Sequence, residues 1–591
     1  MAFRLLSTRV YYKTSKYAPV GAVCLRLELP DGTSPEIQSD TVNVLLSEIG
    51  GRSGGSRAFV SGGKTQLEVY CGLVLGLQYH AGYEVAYSRV EACGADRQYR
   101  VFIEYEDHAS ALYAADVALD IFNALHKSPG GLAPDAILTL REQQDEYVAF
   151  ATARRQDPNS GLLKAAARKL HVPFINLDLP WRVPTWPGAD ERSGVVQYGW
   201  GFNQGRCKGG MSLGSLSPRQ LEDCSDRAFV LPRLKKAQLP VAGQDLEFIN
   251  RNQVRRAQRS AGRIGYPVMI RPRVAAVPQY GLFDSGVFGP LENDEQVALV
   301  TTYLREHART DIWVESFVPG THYRFLVLDN EVVSALRMIP PTIVGDGVRT
   351  VADLAQLRAE MAESADSHRI WHQHAQGDGA LLCRLQLKGM NLSSIPAPGE
   401  EVALRGEGSH YNGGSGEEAL ADLRDCFNSV ARQAANILGL QQMAGVDLVI
   451  ADLQGPAEMP NCAVTGVDPV PDLVVHSKAS KANDRNIPGK YFSMLLPRGT
   501  SFRIPSVAVT GTNGKTTTSR MIAGILKESG LKVGLSCSDG SYLDDEILVQ
   551  TDEAGVLGAN EVLSHTGTEA AVLETARGGM ANTGIAFERI D

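Results

Sequence analysis

The feature that most restricts this chain is a glycine-bearing loop set between a strand and a helix. Residues 506–510 (SVAVT) form an apolar, β-branched run, and residues 510–518 read TGTNGKTTT. An amphipathic stretch then continues to Gly530, and a second apolar run, KVGLS, follows. Strand, loop, helix and strand in that order make a βαβ unit, for which a right-handed crossover is expected. A loop at that junction aims the backbone N–H groups of a helix N-terminus at phosphate oxygens, and small residues let the backbone come close. Gly511, Thr512, Asn513, Gly514, Lys515, Thr516 and Thr517 are therefore candidate ATP-binding residues, with Lys515 reaching the β- and γ-phosphates and Thr516 holding Mg2+. The strict G-x-x-x-x-G-K-[ST] pattern has Val509 where its first glycine belongs.

The rest of the chain is too long for one core. Its 591 residues exceed the roughly 250 to 300 at which a single core stops growing, so two to four domains are expected. Hydrophobic residues at 43% and charged residues at 21% exclude a disordered or fibrous chain. A net charge of -9, with both signs interleaved, lacks the concentrated basic surface of a general nucleic-acid binder, and no nucleic-acid partner is expected. Nine cysteines without a C-x-x-C pair fit neither a disulfide framework nor a zinc ribbon and point to a reducing, cytoplasmic setting. The first residues lack the apolar core of a secretory signal, and no run of about 18 apolar residues occurs, so a soluble chain without membrane partners is expected.

Patterning divides the chain into three. Residues 1–160 hold the strand-like VCLRLELP and YRVFIEYED, the apolar LEVYCGLVLGLQY and the helical ASALYAADVALDIFNALH, and read as a small α/β domain in which GGRSGGSR (50–57) is a flexible loop. Prolines in VPFINLDLPWRVPTWPG mark the next boundary. Residues 161–497 hold short β-rich runs and a few helices, which favours an α+β nucleotide-grasping architecture over a doubly wound sheet. Residues 498–591 hold the phosphate loop and a further buried strand, AAVLETA. His368, His372 and His374 have helical spacing that a divalent metal can use, but in so polar a segment a solvated helix face is the favoured reading.

These stretches carry a family resemblance. The G-T-N-G-K-T-T loop resembles that of Mur ligases, and LLPRGTSFRIPSVAVTGTNGKTTTSRMIAGILKESGLKVG, SDGSY and AAVLETARGGMANTGIAFERID resemble the cyanophycin synthetase version of it. VESFVPGTHYRFLVLDNEVVSALRMIPPTIVGDGVRTVADL and MAGVDLVIADL resemble that family's ATP-grasp domain. The resemblance implies a mixed α/β and α+β multidomain fold: an N-terminal α/β domain, an ATP-grasp domain, and a Mur-ligase-like P-loop domain left incomplete at Asp591. It implies an ATP- and Mg2+-dependent amide ligase that makes acyl phosphates. One site builds an aspartate backbone and the other attaches arginine, from amino-acid or dipeptide substrates and a polymer primer. It puts Glu574 on Mg2+ beside Thr516. In the ATP-grasp site it puts Arg227, Arg271 and Glu315 on nucleotide, Arg324 and Arg337 in catalysis, and Asp447 and Asp468 on Mg2+. Ser409, His410 and Asn412 match a loop that touches the growing polymer.

Departures from the family pattern are equally specific. Arg227 and Arg271 stand where the family has lysines, Gly466 where it has a metal-binding carboxylate, Asp468 where it has Asn, and Glu68 and Gly72 where histidines stand. Arginine keeps the charge of lysine but not its compact geometry at a phosphate. The alternative expectation is accordingly a catalytically impaired paralogue that binds nucleotide and partners an active synthetase, as a homo- or hetero-oligomer. The final unit is further expected to be incompetent for ligation alone and to expose a cut sheet edge near AAVLETA.

Overall fold

The computed structural model describes residues 3–11, 15, 17–29, 65–83, 85–94, 97–127, 132–155, 157–177, 194–241, 247–249, 254–273, 286–307, 311–361, 365–406, 408, 412–479, 485–496 and 501–587. The N-terminal unit contains β1 (Arg4–Tyr11), β2 (Ala22–Glu28), α1 (Gln66–His80), β3 (Ser88–Ala92), β4 (Gln98–Glu104), α2 (His108–Lys127) and α3 (Pro134–Arg154). Its strands form an antiparallel sheet in the order β1-β2-β4-β3. The unbroken run from Val69 to Leu77, without a charged or amide side chain, makes α1 buried on every side over those residues. Thr65 and Glu68 start it with a reciprocal capping box, so Glu68 has a structural task.

The middle unit opens with α4 (Pro158–Lys169), whose Leu163 and Ala167 pack with Tyr198, Leu326, Leu328 and Tyr491. The next elements are β5 (Phe174–Asn176), β6 (Val195–Trp200), β7 (Asn203–Lys208), β8 (Met211–Ser212), α5 (Pro218–Ser225), α6 (Arg227–Lys236), β9 (Glu247–Ile249) and α7 (Val254–Ile264). Then come β10 (Val268–Pro272), β11 (Phe288–Leu291), α8 (Asp294–His307), β12 (Ile312–Ser316), β13 (Thr321–Leu328), β14 (Glu331–Ile339) and β15 (Thr342–Val344). The unit continues through α9 (Val351–Glu360), α10 (Ala365–Gln376), α11 (Gly379–Leu387), β16 (Glu401–Ala403), β17 (Ser415–Glu418), α12 (Asp425–Ile437), β18 (Met443–Ile450) and β19 (Cys462–Asp468), and ends with α13 (Leu473–Ala479) and α14 (Ile487–Leu495). Antiparallel sheets dominate, as the short β-rich runs predict. One is ordered β11-β10-β12-β9, one β17-β14-β13-β18-β19, and a third β5-β6-β7-β8, with β15 and β16 paired separately.

The C-terminal unit contains β20 (Ser506–Val509), α15 (Lys515–Glu528), β21 (Val533–Cys537), β22 (Gly540–Leu543), β23 (Glu546–Val549), α16 (Val556–Ser564), β24 (Ala570–Glu574) and α17 (Arg577–Thr583). Its sheet runs β20-β24-β21-β22-β23, with β24 parallel to both neighbours. This corrects the expected exposed edge near AAVLETA. All five residues of β24 are buried, and so apolar a parallel strand takes a neighbour on each side, which leaves β20 at the edge. Among the described residues, no helix is long and apolar enough to cross a membrane.

The C-terminal unit is joined to the middle one by a polar and apolar seam. The last carbonyls of a helix have no partner within it, and the β6–β7 hairpin supplies partners for those of α16. Leu563 O accepts from Gly201 N (2.9 Å) and Gln197 Nε2 (3.0 Å), and Ser564 O from Gln204 Nε2 (3.1 Å) and Arg206 Nη2 (2.6 Å). Gly201 is required at the turn: its φ is +56°, and a Cβ would come within 2.1 Å of Thr568 O. Beneath lie Ile175, Trp200, Ile504, Val556, Leu563 and Leu573. Trp200→Ala should cost roughly 3–5 kcal/mol, lowering the thermal midpoint and speeding proteolytic release of residues after 500; an unchanged midpoint and digest would count against the seam.

Candidate functional site

Two polar clusters contain some of the site residues read from the sequence. The first is the phosphate loop. Gly514 caps α15 in the left-handed conformation at φ 75° and contributes no side-chain hydrogen bond, so the first-turn N–H groups of a 14-residue helix face outward without a side-chain cap. Residues 510–514 are exposed, and Lys515 and Thr516 are half-buried. Strand alternation brings the acid in. Ala571 and Leu573 of β24 face the seam, whereas Val572 packs with Ile522 and Leu526 of α15, and Glu574 follows Val572 onto that side. Thr516 Oγ1 donates to Glu574 Oε2 at 2.9 Å and lies 2.9 Å from Ser538 Oγ, and Ser538 N donates to the same carboxylate at 3.4 Å.

Thr516, Ser538 and a buried Glu574 thus put hard oxygen donors at the C-terminal ends of β21 and β24, beside the helix start. That donor set fits Mg2+, which keeps waters and takes one or two protein oxygens plus phosphates. Ser538 is a residue the sequence reading missed, although SDGSY directly follows β21 and strand ends of such sheets are where ligands bind. Arg520 bonds Asp539 at 3.0 Å and stands over the Tyr542 ring at 5.2 Å, which ties the segment after Ser538 to α15.

The second cluster lies on the five-stranded sheet. Register sets Arg324 opposite Asp447 and Asp447 opposite Gly466. Arg324 grips Asp447 with two hydrogen bonds of 2.8 Å, and His322 Nε2 lies 2.9 Å from Oδ1. Burial raises the Asp447 carboxyl, but Arg324 and His322 together outweigh burial and hold it far below the usual carboxylate range. Burial pushes Asp468 the other way, above its ordinary value, with Arg324 opposing and the Asp447 and Asp472 charges adding to the rise. Arg227 opens α6 behind its cap Asp226 and donates to Thr465 O. A Cβ on Gly466 would lie 3.3 Å from Asp447 Oδ2 and 3.8 Å from Arg227 Nη2, so a side chain there would crowd those two groups.

Other candidates stand apart from this cluster. Arg271 and Glu315, both expected on nucleotide, form a buried ion pair with each other across β10 and β12, at side-chain exposures of 8% and 2%. Arg337 is opposite Tyr323, one residue out of step with Arg324, and the pleat sends it to the other face of the sheet, where it pairs with Glu417 in solvent. It is not brought together with Arg324. Among the described residues, no three His, Cys, Asp or Glu side chains form a metal-binding group. His374, expected on a solvated face, is 1% exposed and sits 2.9 Å from Asn412 O against Trp371. The side chains of His368 and His372, together with Ser409, His410 and the 50–57 loop, lie outside the described residues, as does VAAVPQYG (274–281), where the family resemblance implies a Gly-rich phosphate-covering loop that this sequence lacks.

His476, which the sequence reading passed over, is fully buried near Arg324 and Asp447, with Nδ1 2.9 Å from Ser334 Oγ. Burial, with the Arg324 charge adding, pushes it down to about 3. Its folded value lies below the unfolded value of about 6.5, so the folded state binds fewer protons between the two. Stability should therefore fall as pH drops from about 6.5 towards 3, by up to about 1.4 kcal/mol per unit from this group. Asp447, also depressed, adds a loss beginning below about 4. Chemical denaturation across this range should show the upper part of that slope flattened in His476→Gln; an identical slope would remove the assignment.

Comparison with known proteins agrees with this arrangement. The family model described as the Mur ligase middle domain matches residues 509–587. The cyanophycin synthetase of Nostoc sp. is 28% identical over 519 residues, covering 87% of this chain and 54% of that protein. That of Synechocystis sp. is 27% identical over 571 residues, covering 95% and 62%. A glutathione biosynthesis bifunctional protein from Mannheimia succiniciproducens is 31% identical over 193 residues, covering 32% and 25%. The chain spans little more than half the length of the cyanophycin synthetases it matches. The chain is thus similar to cyanophycin synthetases over most of its length, and its C-terminal unit matches the Mur ligase middle domain.

Proposed function

We propose that the chain is an ATP-dependent amide ligase of the cyanophycin synthetase type, acting on aspartate- and arginine-containing polymer. The observation that carries this reading is the convergence of Thr516, Ser538 and Glu574 at the uncapped start of α15, next to Lys515. In this reading Lys515 and the first-turn N–H groups hold the triphosphate, and Thr516 and Glu574 hold Mg2+, which neutralises phosphate charge when bound. A substrate carboxylate oxygen bonds to the γ-phosphorus and ADP leaves, giving an acyl phosphate. An amine nitrogen then bonds to the acyl carbon, inorganic phosphate departs, and the amine loses a proton. In the middle unit Arg227, bonded to Thr465 O, and Arg324, oriented by Asp447, supply positive charge beside the cluster.

A second reading, nucleotide binding without bond formation in the middle unit, is favoured by one observation: Arg271 and Glu315 are spent on each other. The two readings separate in one assay. The chain is mixed with ATP, Mg2+, a short aspartate primer, and either aspartate plus arginine or the β-linked dipeptide. Acceptor-dependent ADP release with primer extension supports the ligase, and nucleotide binding without extension supports the second reading. In both, Lys515→Ala should weaken ATP binding roughly ten- to hundredfold by calorimetry, the usual worth of a hydrogen bond to a charged group; unchanged affinity would remove the phosphate-loop assignment.

A further inference from the structure

The family resemblance puts Mg2+ on Asp447 and Asp468, and the residues of the middle unit do not fit that ion. The Asp447 side chain is 14% exposed, and both of its oxygens are already engaged. Arg324 Nε donates to Oδ1 and Arg324 Nη2 to Oδ2, each at 2.8 Å, and His322 Nε2 lies 2.9 Å from Oδ1. Directly opposite on β19 stands Gly466, which supplies no oxygen, and a Cβ there would come within 3.3 Å of Asp447 Oδ2. Asp468 Oδ1 accepts from Val470 N at 2.9 Å. Among the described residues, no further carboxylate, His or Cys joins these to make a metal-binding group of three. A divalent ion on Asp447 would also stand beside the Arg324 guanidinium, and like charges that close repel strongly where water is scarce.

Glu574 is the contrasting case. It is buried too, at 2% exposure, but its partners are the neutral Thr516 Oγ1 and Ser538 N. Among the described residues, no guanidinium or ammonium group pairs with it. Its charge is therefore left for an ion to neutralise, whereas that of Asp447 is neutralised from within the chain. We propose that the middle unit carries the Arg324 guanidinium where the family pattern has a divalent ion, so that no metal binds Asp447 or Asp468 and the Mg2+-dependent chemistry of this chain is confined to the phosphate loop. A guanidinium is fixed to β13 at every Mg2+ concentration and cannot leave with a product, so the tie it makes to Asp447 on β18 is permanent. This division does not depend on whether the phosphate loop forms bonds.

The test measures Mn2+ binding to the full chain by electron paramagnetic resonance, with the non-hydrolysable ATP analogue adenylyl imidodiphosphate present. All bound Mn2+ should weaken about ten- to hundredfold in Glu574→Gln. Asp447→Asn and Asp468→Asn should each leave Mn2+ affinity within about twofold. Asp447→Asn should at the same time lower the thermal midpoint, because Arg324 and His322 lose the charge that holds them. Should Asp447→Asn not fold, Asp468→Asn gives the same reading of the metal. An Mn2+ ion that survives Glu574→Gln and is lost in Asp447→Asn or Asp468→Asn would overturn the proposal, as would the absence of any bound Mn2+. Primer extension is read separately: its absence alongside the expected Mn2+ pattern would remove the ligase reading and keep the metal assignment.

Discussion

The structure depends on how the open end of one helix is closed. The carbonyls of Leu563 and Ser564 have no partner within α16, and leaving them buried and unpaired would cost about 1–3 kcal/mol each. Gln197, Gly201, Gln204 and Arg206 close that end from another unit, and Trp200 fills the apolar space below it. Arg206 also puts a positive charge where the helix dipole is negative. Backbone hydrogen-bond satisfaction thereby fixes which face of the C-terminal sheet is covered. With Ala571 and Leu573 committed to the seam, the alternate residues of β24 turn to α15, and Glu574 reaches the phosphate loop.

In the middle unit electrostatics does the equivalent work. Asp447 is held ionised by a bidentate arginine, while Asp468, a short distance along the same face, is driven by burial towards its neutral form. Two carboxylates with pKa values pushed apart suit different tasks, one orienting a cation and one able to carry a proton. The arginines at 227 and 271 fit this charge pattern rather than a lysine-for-phosphate pattern. Each planar fork is already engaged by protein oxygen, Thr465 O in one case and Glu315 in the other.

How much was legible in the sequence follows from the range of the interactions. The strand, loop and helix start at 506–528 were readable because they are contiguous, and Glu574 was singled out because a family pattern carried it. Ser538 and His476 were not readable, since their roles come from the strand ends or sheet face they meet after folding. Arg337 shows the same limit. One residue of register decides the face of a strand, and the sequence carries no direct signal of register where both faces are partly buried. The strand order β20-β24-β21 was hidden for a related reason: β24 inserts between two strands that lie adjacent in the βαβ pattern, and nothing local in SVAVT or KVGLS announces the insertion.

The alternation along β24 has a thermodynamic consequence. Five residues serve two neighbours, with Leu573 in the seam and Glu574 beside Thr516, so the strand cannot leave one without leaving the other. Any local opening of the seam then removes an oxygen from the phosphate site. A ligand held there resists that opening by RT ln(1 + [L]/Kd). Ligand occupancy and the attachment of the C-terminal unit to the rest of the chain become a single linked equilibrium, although the two surfaces share no side chain.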